Sequence, residues 1–474
     1  ANTSFSSAQF DKAFFNKISN TLNNPTTNEG AKFNGAFVAT NSIFSDSNLA
    51  GSTFMGNLSG SQLVSVNLQN SILTGTNFSN CVMSLITFSG NGGDAVTQAN
   101  NCNFENAVLT QALFDKANLQ GSSFKNANLT NAKLDEVLGI IGIDLSGTNL
   151  TAANLTGLDL SSNPPAKHGT GGNVVITSDT NFTKAQMNHV DLSNQKLDGV
   201  NFLAASMQFA KCTTCSFEKS ILVGADLTSA TFSANTSFLE ANLSNVVLAN
   251  CDLSGANFSA DTQGTNAAIL TNAYMPNAVL TDAKLYAVNM SGCSWYGPAS
   301  KANKAQMEQV NLSNANLATL DLSQAVMIGA NLTFANMVNS NLTGVDLTPT
   351  QDNRSTSLAF ASLQGTNFTQ AQLTNADLTN AAVSLDIQSS SGFMKGNLAF
   401  TVKGSDTVTI TSITSDLSRL IIDDYLISAF AENGVTIDAK NGISIVTAGV
   451  SWLIRDSDGK QFILVFDTNK ILVY

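Results

Sequence analysis

Along most of the chain a large apolar residue returns at every fifth position. Residues 116–134 show it plainly. Leu119, Phe124, Leu129 and Leu134 are each preceded, two residues earlier, by a small one: Ala117, Ser122, Ala127 and Ala132. A helix repeats its faces every 3.6 residues and a strand every two, so neither element carries this pattern alone. The same beat runs through 58–88, 104–134, 145–160, 182–232, 238–258, 270–295, 307–347 and 358–383. The longest block opens with Phe182, Met187, Leu192, Leu197 and Phe202. These residues and the four above are the expected core ladder.

The wording of the repeat is as regular as its spacing: "ADL", "ANL", "NLSNANL" and "GANLTFANM" recur. It resembles the pentapeptide-repeat proteins, whose repeat is roughly A(D/N)LXX, over about residues 33–400. The resemblance implies an all-β solenoid, a right-handed quadrilateral β-helix. Each pentapeptide would form one side, with four sides to a coil. The central Leu or Phe and the small residue two before it would point inward. Stacked coils at the strand spacing of about 4.8 Å would give a rod about 70 Å long, stabilised between neighbouring coils.

Gly- and Pro-rich stretches interrupt the beat at 89–101, 161–180, 259–268, 296–306 and 348–357, and hold Pro164, Pro165, Pro298 and Pro349. They read as loops. Counted four to a coil, the beats between the first three interruptions are multiples of four. The first three loops are therefore expected on one edge, as a recognition surface on a rigid scaffold.

The ends depart from the repeat. Phe10, Phe14, Ile18 and Leu22 lie four apart, which predicts a capping helix over 6–22 inside an N-terminal cap of residues 1–30. The β-helix would occupy 31–394. Residues 395–474 read as a small α+β module: strands, then a helix from Ser415 to a Gly434 cap, then strands around an Asp458–Gly459 turn.

Charged residues make up only 12% of the chain and the net charge is −12. No Lys/Arg cluster suggests nucleic-acid binding, and no apolar run is long enough for a membrane span. All six cysteines fall on inward positions, including the Cys212–Cys215 pair that spacing alone would suggest for redox or metal chemistry. They read as small core residues, which suits a cytoplasmic location better than a secreted one. The two histidines, His168 and His189, have no clustered partners. No P-loop, GxSxG or strand–helix GxGxxG occurs. No catalytic residue, metal site or cofactor is expected.

The expected function is a non-catalytic protein-interaction scaffold, with possible self-association through the C-terminal module. Candidate contact residues are Lys167, His168 and Asn173 in the second loop, and Tyr425, Trp452 and Arg455 in the module. Two alternatives remain. One is a DNA mimic that binds a type II topoisomerase, as the resemblance allows. Against it, the charge of residues 1–394 is dilute, with 15 Lys/Arg and 25 Asp/Glu. The other is a secreted effector or toxin component.

Overall fold

In the computed structural model the described residues are 9–11, 32–90, 96–162, 173–234, 236–259, 267–363, 366, 371–372, 376–377 and eight strands between 381 and 473. Side chains are described from Val38 to Ala381 within these. The chain divides into two compact units, Ala1–Val247 and Leu248–Tyr474.

One repeat shows why the sequence folds as it does. In residues 127–131, Asn128 points outward, and its Oδ1 accepts the Thr130 N–H (3.1 Å) and hydroxyl (2.6 Å). This is the local bond that Asn favours in turns. Leu129 is fully buried, and its carbonyl accepts the Ala132 N–H at 2.9 Å. That bond closes a four-residue turn whose third residue, Asn131, has φ 58°. Type II turns need positive φ there, and Asn tolerates it better than most residues. So Asn or Gly at the corner, Asn or Asp before the apolar residue and Ser or Thr after it each have a task.

In the first unit these sides stack as coils of a β-helix. Parallel bridges link residues twenty apart, such as Gln62↔Val82 and Asn181↔Asn201, and stretch to Ile72↔Gln98 or Asn149↔Asn181 where a loop intervenes. Leu129 N–H donates to Asn149 O (2.8 Å), and Asn149 N–H returns to Ala127 O (2.9 Å). The unit begins with three parallel strands, β1 (Gln9–Asp11), β2 (Lys32–Thr40) and β3 (Thr53–Asn57). This corrects the helix expected over 6–22 at the three residues described. Gln9, Phe10 and Asp11 pair with Val38, Ala39 and Thr40. The first coil offers an open strand edge, and backbone pairing there satisfies more donors than an isolated helical turn would. The rest of that expected helix lies outside the described residues.

The core is the ladder. Leu119, Phe124, Leu129, Phe182, Met187, Leu192, Leu197 and Phe202 are fully buried, and Leu134 is 1% exposed. Phenylalanines stack between coils, Phe104 on Phe124 at 4.7 Å and Phe88 on Phe114 at 4.8 Å. They meet edge-to-face across a coil, Phe104 to Phe114 at 6.3 Å and Phe114 to Phe124 at 5.7 Å. Several polar residues at the small inward position bond a carbonyl of the coil before, and others, such as Ser220 and Ser340, bond the carbonyl three residues back in their own turn. Thr76 Oγ1 donates to Phe54 O (2.7 Å), Ser122 Oγ to Ala99 O (2.6 Å) and Cys81 Sγ to Leu58 O (3.0 Å). Burial therefore leaves these groups satisfied.

The second unit repeats the design from Leu248 to Asp377, with bridges such as Asn289↔Asn311 and Asn311↔Asn331. Trp295 is fully buried, and its Nε1 donates to Ala278 O at 3.0 Å. Beyond the coils lie three antiparallel sheets. They are β4 (Ala381–Ser389) with β5 (Gly392–Lys403) and β6 (Thr407–Ile413), β7 (Val435–Asp438) with β8 (Gly442–Ile445), and β9 (Val450–Arg455) with β10 (Gln461–Asp467) and β11 (Lys470–Val473). The antiparallel strands open at Ala381, ahead of the residue-395 boundary read from sequence. Ala381 and Val383 obey both rhythms at once: small-then-apolar for a coil, alternate positions for a strand. The expected helix after Ser415 lies outside the described residues.

Candidate functional site

Among the described residues the inward side chains are buried and mostly apolar. All six cysteines are buried and unpaired with one another. Burial pushes the thiols of Cys81, Cys102 and Cys293 up to about 12. His189 lies on the exterior, stacked on Phe209 at 4.9 Å. Among the described residues, no three His, Cys, Asp or Glu side chains are grouped to hold a metal ion. Exterior charges pair between neighbouring coils: Lys133 with Asp115 (3.0 Å), Lys211 with Asp191 (2.9 Å) and Lys219 with Glu240 (3.8 Å). Partial burial raises the Asp191 pKa, but bonds from Ser193 and Lys211 outweigh it and hold the carboxyl below its ordinary range.

One place in the first unit breaks the coil rule. The sequence "EVLGIIG" (136–142) carries one residue too many and places apolar side chains at outward positions. Leu138 is 60% exposed, and Ile140, at a central inward position, is only half-buried. The bridges on this side run Gln98↔Asn118↔Gly139 and resume at Asp159↔Asp191. The sides flanking it are tied normally: Leu134 N–H to Asn154 O (2.8 Å) and Asn154 N–H to Ala132 O (2.9 Å) on one, Leu145 N–H to Val175 O (2.8 Å) and Val175 N–H to Ile143 O (3.0 Å) on the other. The equivalent bonds from Ile140 N–H to Asp159 O, Asp159 N–H to Leu138 O and Gly142 N–H to Ser161 O are not made.

Beside this break lies a hollow of about 520 Å³ that runs across several successive coils. Its apolar lining includes Val96, Val137, Leu138, Ile140, Leu158 and Val174, and its polar lining Asn118, Gln120, Asp135 and Asp159. Asp159 Oδ1 accepts from the Ser161 N–H (3.1 Å) and hydroxyl (2.6 Å). Asp135 Oδ1 stands 3.8 Å from Lys133 Nζ. Val96 and Val174 belong to the stems of the first two interruptions. The second stem is held from inside by Gln195, 4% exposed, whose Nε2 donates to Leu160 O (2.5 Å) and Val174 O (3.1 Å).

The loops do not share one edge. The first leaves between the Thr87 and Gln98 columns, and the second, one corner further round, between the Asp159 and Val175 columns. Each interruption hides a side of its own, at Ala99 and at Ile176, which the beat count missed. In the second unit, the interruptions 259–268 and 348–357 do share a corner. One lies between Asn257 and Ile269 and the other between Asp346 and Ser357, on columns joined through Lys284, Gln306 and Val326 and through Asn289, Asn311 and Asn331. On that corner Arg354 Nη1 donates to Gln309 Oε1 (3.0 Å), and Gln309 Nε2 to the Tyr286 hydroxyl (3.4 Å).

Of the residues singled out from sequence, Lys167, His168 and Tyr425 lie outside the described residues. Asn173 is exposed in the first unit. Trp452 and Arg455 sit on β9 in the second, opposite Leu464 and Gln461 of β10. The hollow was not anticipated. Its signal was the extra residue and the apolar pair Val137 and Leu138 beside it.

A family model described as pentapeptide repeats matches in 8 copies, over residues 57–90, 100–138, 140–162, 234–260, 266–294, 301–348 and 354–384. No curated protein matches the chain. Among solved structures, HetL, a pentapeptide repeat protein involved in heterocyst differentiation regulation from the cyanobacterium Nostoc sp. strain PCC 7120, is 19% identical with a TM-score of 0.18. That match covers 59% of this chain and 90% of HetL. A trypsin-treated form of QnrB1, a plasmid-mediated fluoroquinolone resistance protein, is 14% identical with a TM-score of 0.19, covering 40% of this chain and 91% of its own. Rfr23, a pentapeptide repeat protein from the cyanobacterium Cyanothece 51142, is 14% identical with a TM-score of 0.11, covering 37% and 88%. The stretch between the third and fourth matched segments keeps the same coil register, Asn181↔Asn201↔Ile221 and Gln186↔Ser206↔Asp226. With that register continuous inside the first unit and the family pattern on both sides of it, the chain belongs to the pentapeptide-repeat family, whose fold is the right-handed β-helix.

Proposed function

We propose that this protein is a non-catalytic protein-interaction scaffold. Its coils hold recognition surfaces in fixed positions, and residues 381–474 attach it to itself or to a partner. The observation that carries this reading is the filled interior. The ladder positions Leu119 to Leu134 and Phe182 to Phe202 hold buried apolar residues, and the inward hydroxyls of Thr76 and Ser122 are bonded to carbonyls. That leaves the outer positions and corners to meet other molecules. The cross-coil ion pairs weigh against a DNA-like surface. Lys133, Lys211 and Lys219 neutralise carboxylates of adjacent coils, whereas duplex DNA presents an unneutralised charge about every 1.7 Å.

The test is a pull-down from lysate of the source cell, with the full chain against one ending at residue 380. A partner retained by both places recognition on the coils. A partner or a dimer lost with the truncation places it in the C-terminal strands. Turnover of a small-molecule substrate by the purified chain would overturn the scaffold reading.

A further inference from the structure

The hollow beside Leu138 is a furrow on the outside of the coils. Both coils at the break stay tied to their outer neighbours, Leu138 N–H to Ala117 O at 3.0 Å and Asp191 N–H to Leu158 O at 2.9 Å. Only one strand spacing therefore separates them, and no backbone enters between. The lining instead crosses the coils on one side, from Val96 past Asn118 and Leu138 to Asp159. Four coils at the strand spacing span about 14 Å. Along this run Val96, Val137, Leu138, Leu158 and Val174 supply apolar surface, and the charged residues of the lining are two carboxylates, Asp135 and Asp159. Asp135 Oδ1 is buried and has no hydrogen-bond partner. Lys133 Nζ stands 3.8 Å from it and closer, at 3.0 Å, to Asp115. We propose that this furrow binds a small organic cation, an aliphatic ammonium. Its apolar body would lie across the coils and its charged head would sit at Asp135.

Each part of that ligand answers something in the site. A hollow of about 520 Å³ is of the size that takes small molecules. An aliphatic chain covers Leu138, which is 60% exposed. The ammonium gives Asp135 Oδ1 a charge-assisted hydrogen bond that no neighbour supplies. Asp159 bonds Ser161 through Oδ1 alone and adds a second negative charge to the same lining. A neutral apolar molecule would cover the Asp135 carboxylate and leave it unpaired, which is unfavourable. An anion would meet two carboxylates and no lining cation. A metal ion needs several convergent oxygen ligands, and no such group occurs among the described residues. The proposal goes beyond the scaffold reading and does not depend on it.

The experiment titrates the full chain with hexylamine, 1-hexanol and hexanoate, matched in their apolar body, and follows binding by saturation-transfer NMR. Hexylamine should bind about tenfold or more tighter than 1-hexanol, because only the amine forms the charged bond; hexanoate should bind least. Asp135→Asn should bring hexylamine down to the level of the alcohol. Leu138→Lys should weaken hexylamine at least tenfold, since it sets a competing cation on the furrow. Leu203→Lys, on another side of the same unit and 38% exposed, should leave binding unchanged. All three variants alter residues that are not fully buried and should keep the parent's circular dichroism and melting curve. No saturation transfer to hexylamine overturns the proposal, as does equal affinity for the amine and the alcohol. So does hexylamine binding that survives Asp135→Asn or that falls equally with Leu203→Lys, because it would then follow the net charge of −12 and not this furrow.

Discussion

The ladder predicts that neighbouring coils are coupled through their rings, and Phe104 is the place to measure it. Phe104 is fully buried, stacked on Phe78 at 5.2 Å and on Phe124 at 4.7 Å, with edge contacts to Phe88 at 5.7 Å and Phe114 at 6.3 Å. Truncation to Ala removes a buried ring and leaves a cavity that rigid coils cannot close, so the cost belongs near the top of the roughly 3–5 kcal/mol range for such changes. Aromatic pairs add about 0.5–1.5 kcal/mol beyond area, and this ring has two stacked partners. Because solenoids open locally rather than all at once, the assay is native-state hydrogen exchange on peptides spanning 98–130, not a single melting temperature. The decisive version is a double-mutant cycle. Phe104→Leu with Phe124→Leu should show a coupling of about 0.5–1.5 kcal/mol. Phe104→Leu with Phe202→Leu, several coils away, should add within about 0.5 kcal/mol. Equal coupling for the two pairs, or none for Phe104 with Phe124, would refute the claim that stability passes from ring to ring along the column.

Three further outcomes follow from named groups. Gln195→Ala should leave Leu160 O and Val174 O without their internal donor, raising exchange at 158–176 by about 1–3 kcal/mol of opening energy; protection unchanged there would show that Gln195 is not what holds the second stem. Asn149→Ala should cost about 1 kcal/mol, because Asn149 Oδ1 takes the Thr151 N–H and hydroxyl and its Nδ2 reaches Thr130. Asn149→Asp should recover part of that loss by keeping the acceptor, and a denaturation series on the three proteins decides it. The thiols of Cys81, Cys102 and Cys293, pushed up to about 12 by burial, stay protonated in the folded chain where the unfolded chain has lost its protons. Their stabilisation is therefore complete below about pH 8.5 and lost as pH rises towards 12, by ~1.4 kcal/mol per pH unit for each thiol. Native protein should resist thiol reagents at pH 8 and react once denatured; rapid labelling of the native chain would contradict the burial.

The coil was legible in the sequence because its geometry is strict. Leu119, Phe124 and Leu129 fall on successive sides, and no other residue class fits their place. The corners of the loops were not legible: Ile176 stands inside a Gly- and Pro-rich interruption, apart from any run of beats, and at two other interruptions the reason is volumetric. Ala99 takes a central position between Phe88 and Phe104, whose rings meet at 5.7 Å. Ala302 follows the fully buried Trp295 in the same way. A coil of fixed cross-section accepts a small residue beside an oversized one, and an alanine there makes no audible beat. Each such side went uncounted. The N-terminal segment misled differently. A four-residue spacing of Phe10 and Phe14 suits a helix, but an open coil edge competes for the same backbone, and at Gln9–Asp11 the edge wins.

A repeat this uniform also tells where specificity must be written. Inward positions cannot vary without a cavity or a clash, and the outward Asn and Ser/Thr are spent on closing their own turns, as Asn128 and Thr130 show. A partner that read only those groups could not tell one coil from the next. Distinct information lies where the rule is broken: the extra residue at 136–142, the arginine arm of 348–357 laid on Gln309, and the Gln195 side chain that replaces a small inward residue to hold a loop stem. Of these, the first alone combines missing backbone bonds, outward apolar side chains and carboxylates beside one hollow. A tidy coil gains little from a visitor, whereas at the break the N–H groups of Ile140, Gly142 and Asp159 have no backbone partner. The departure that costs the β-helix its bonds is therefore the part of the surface with most to gain from binding.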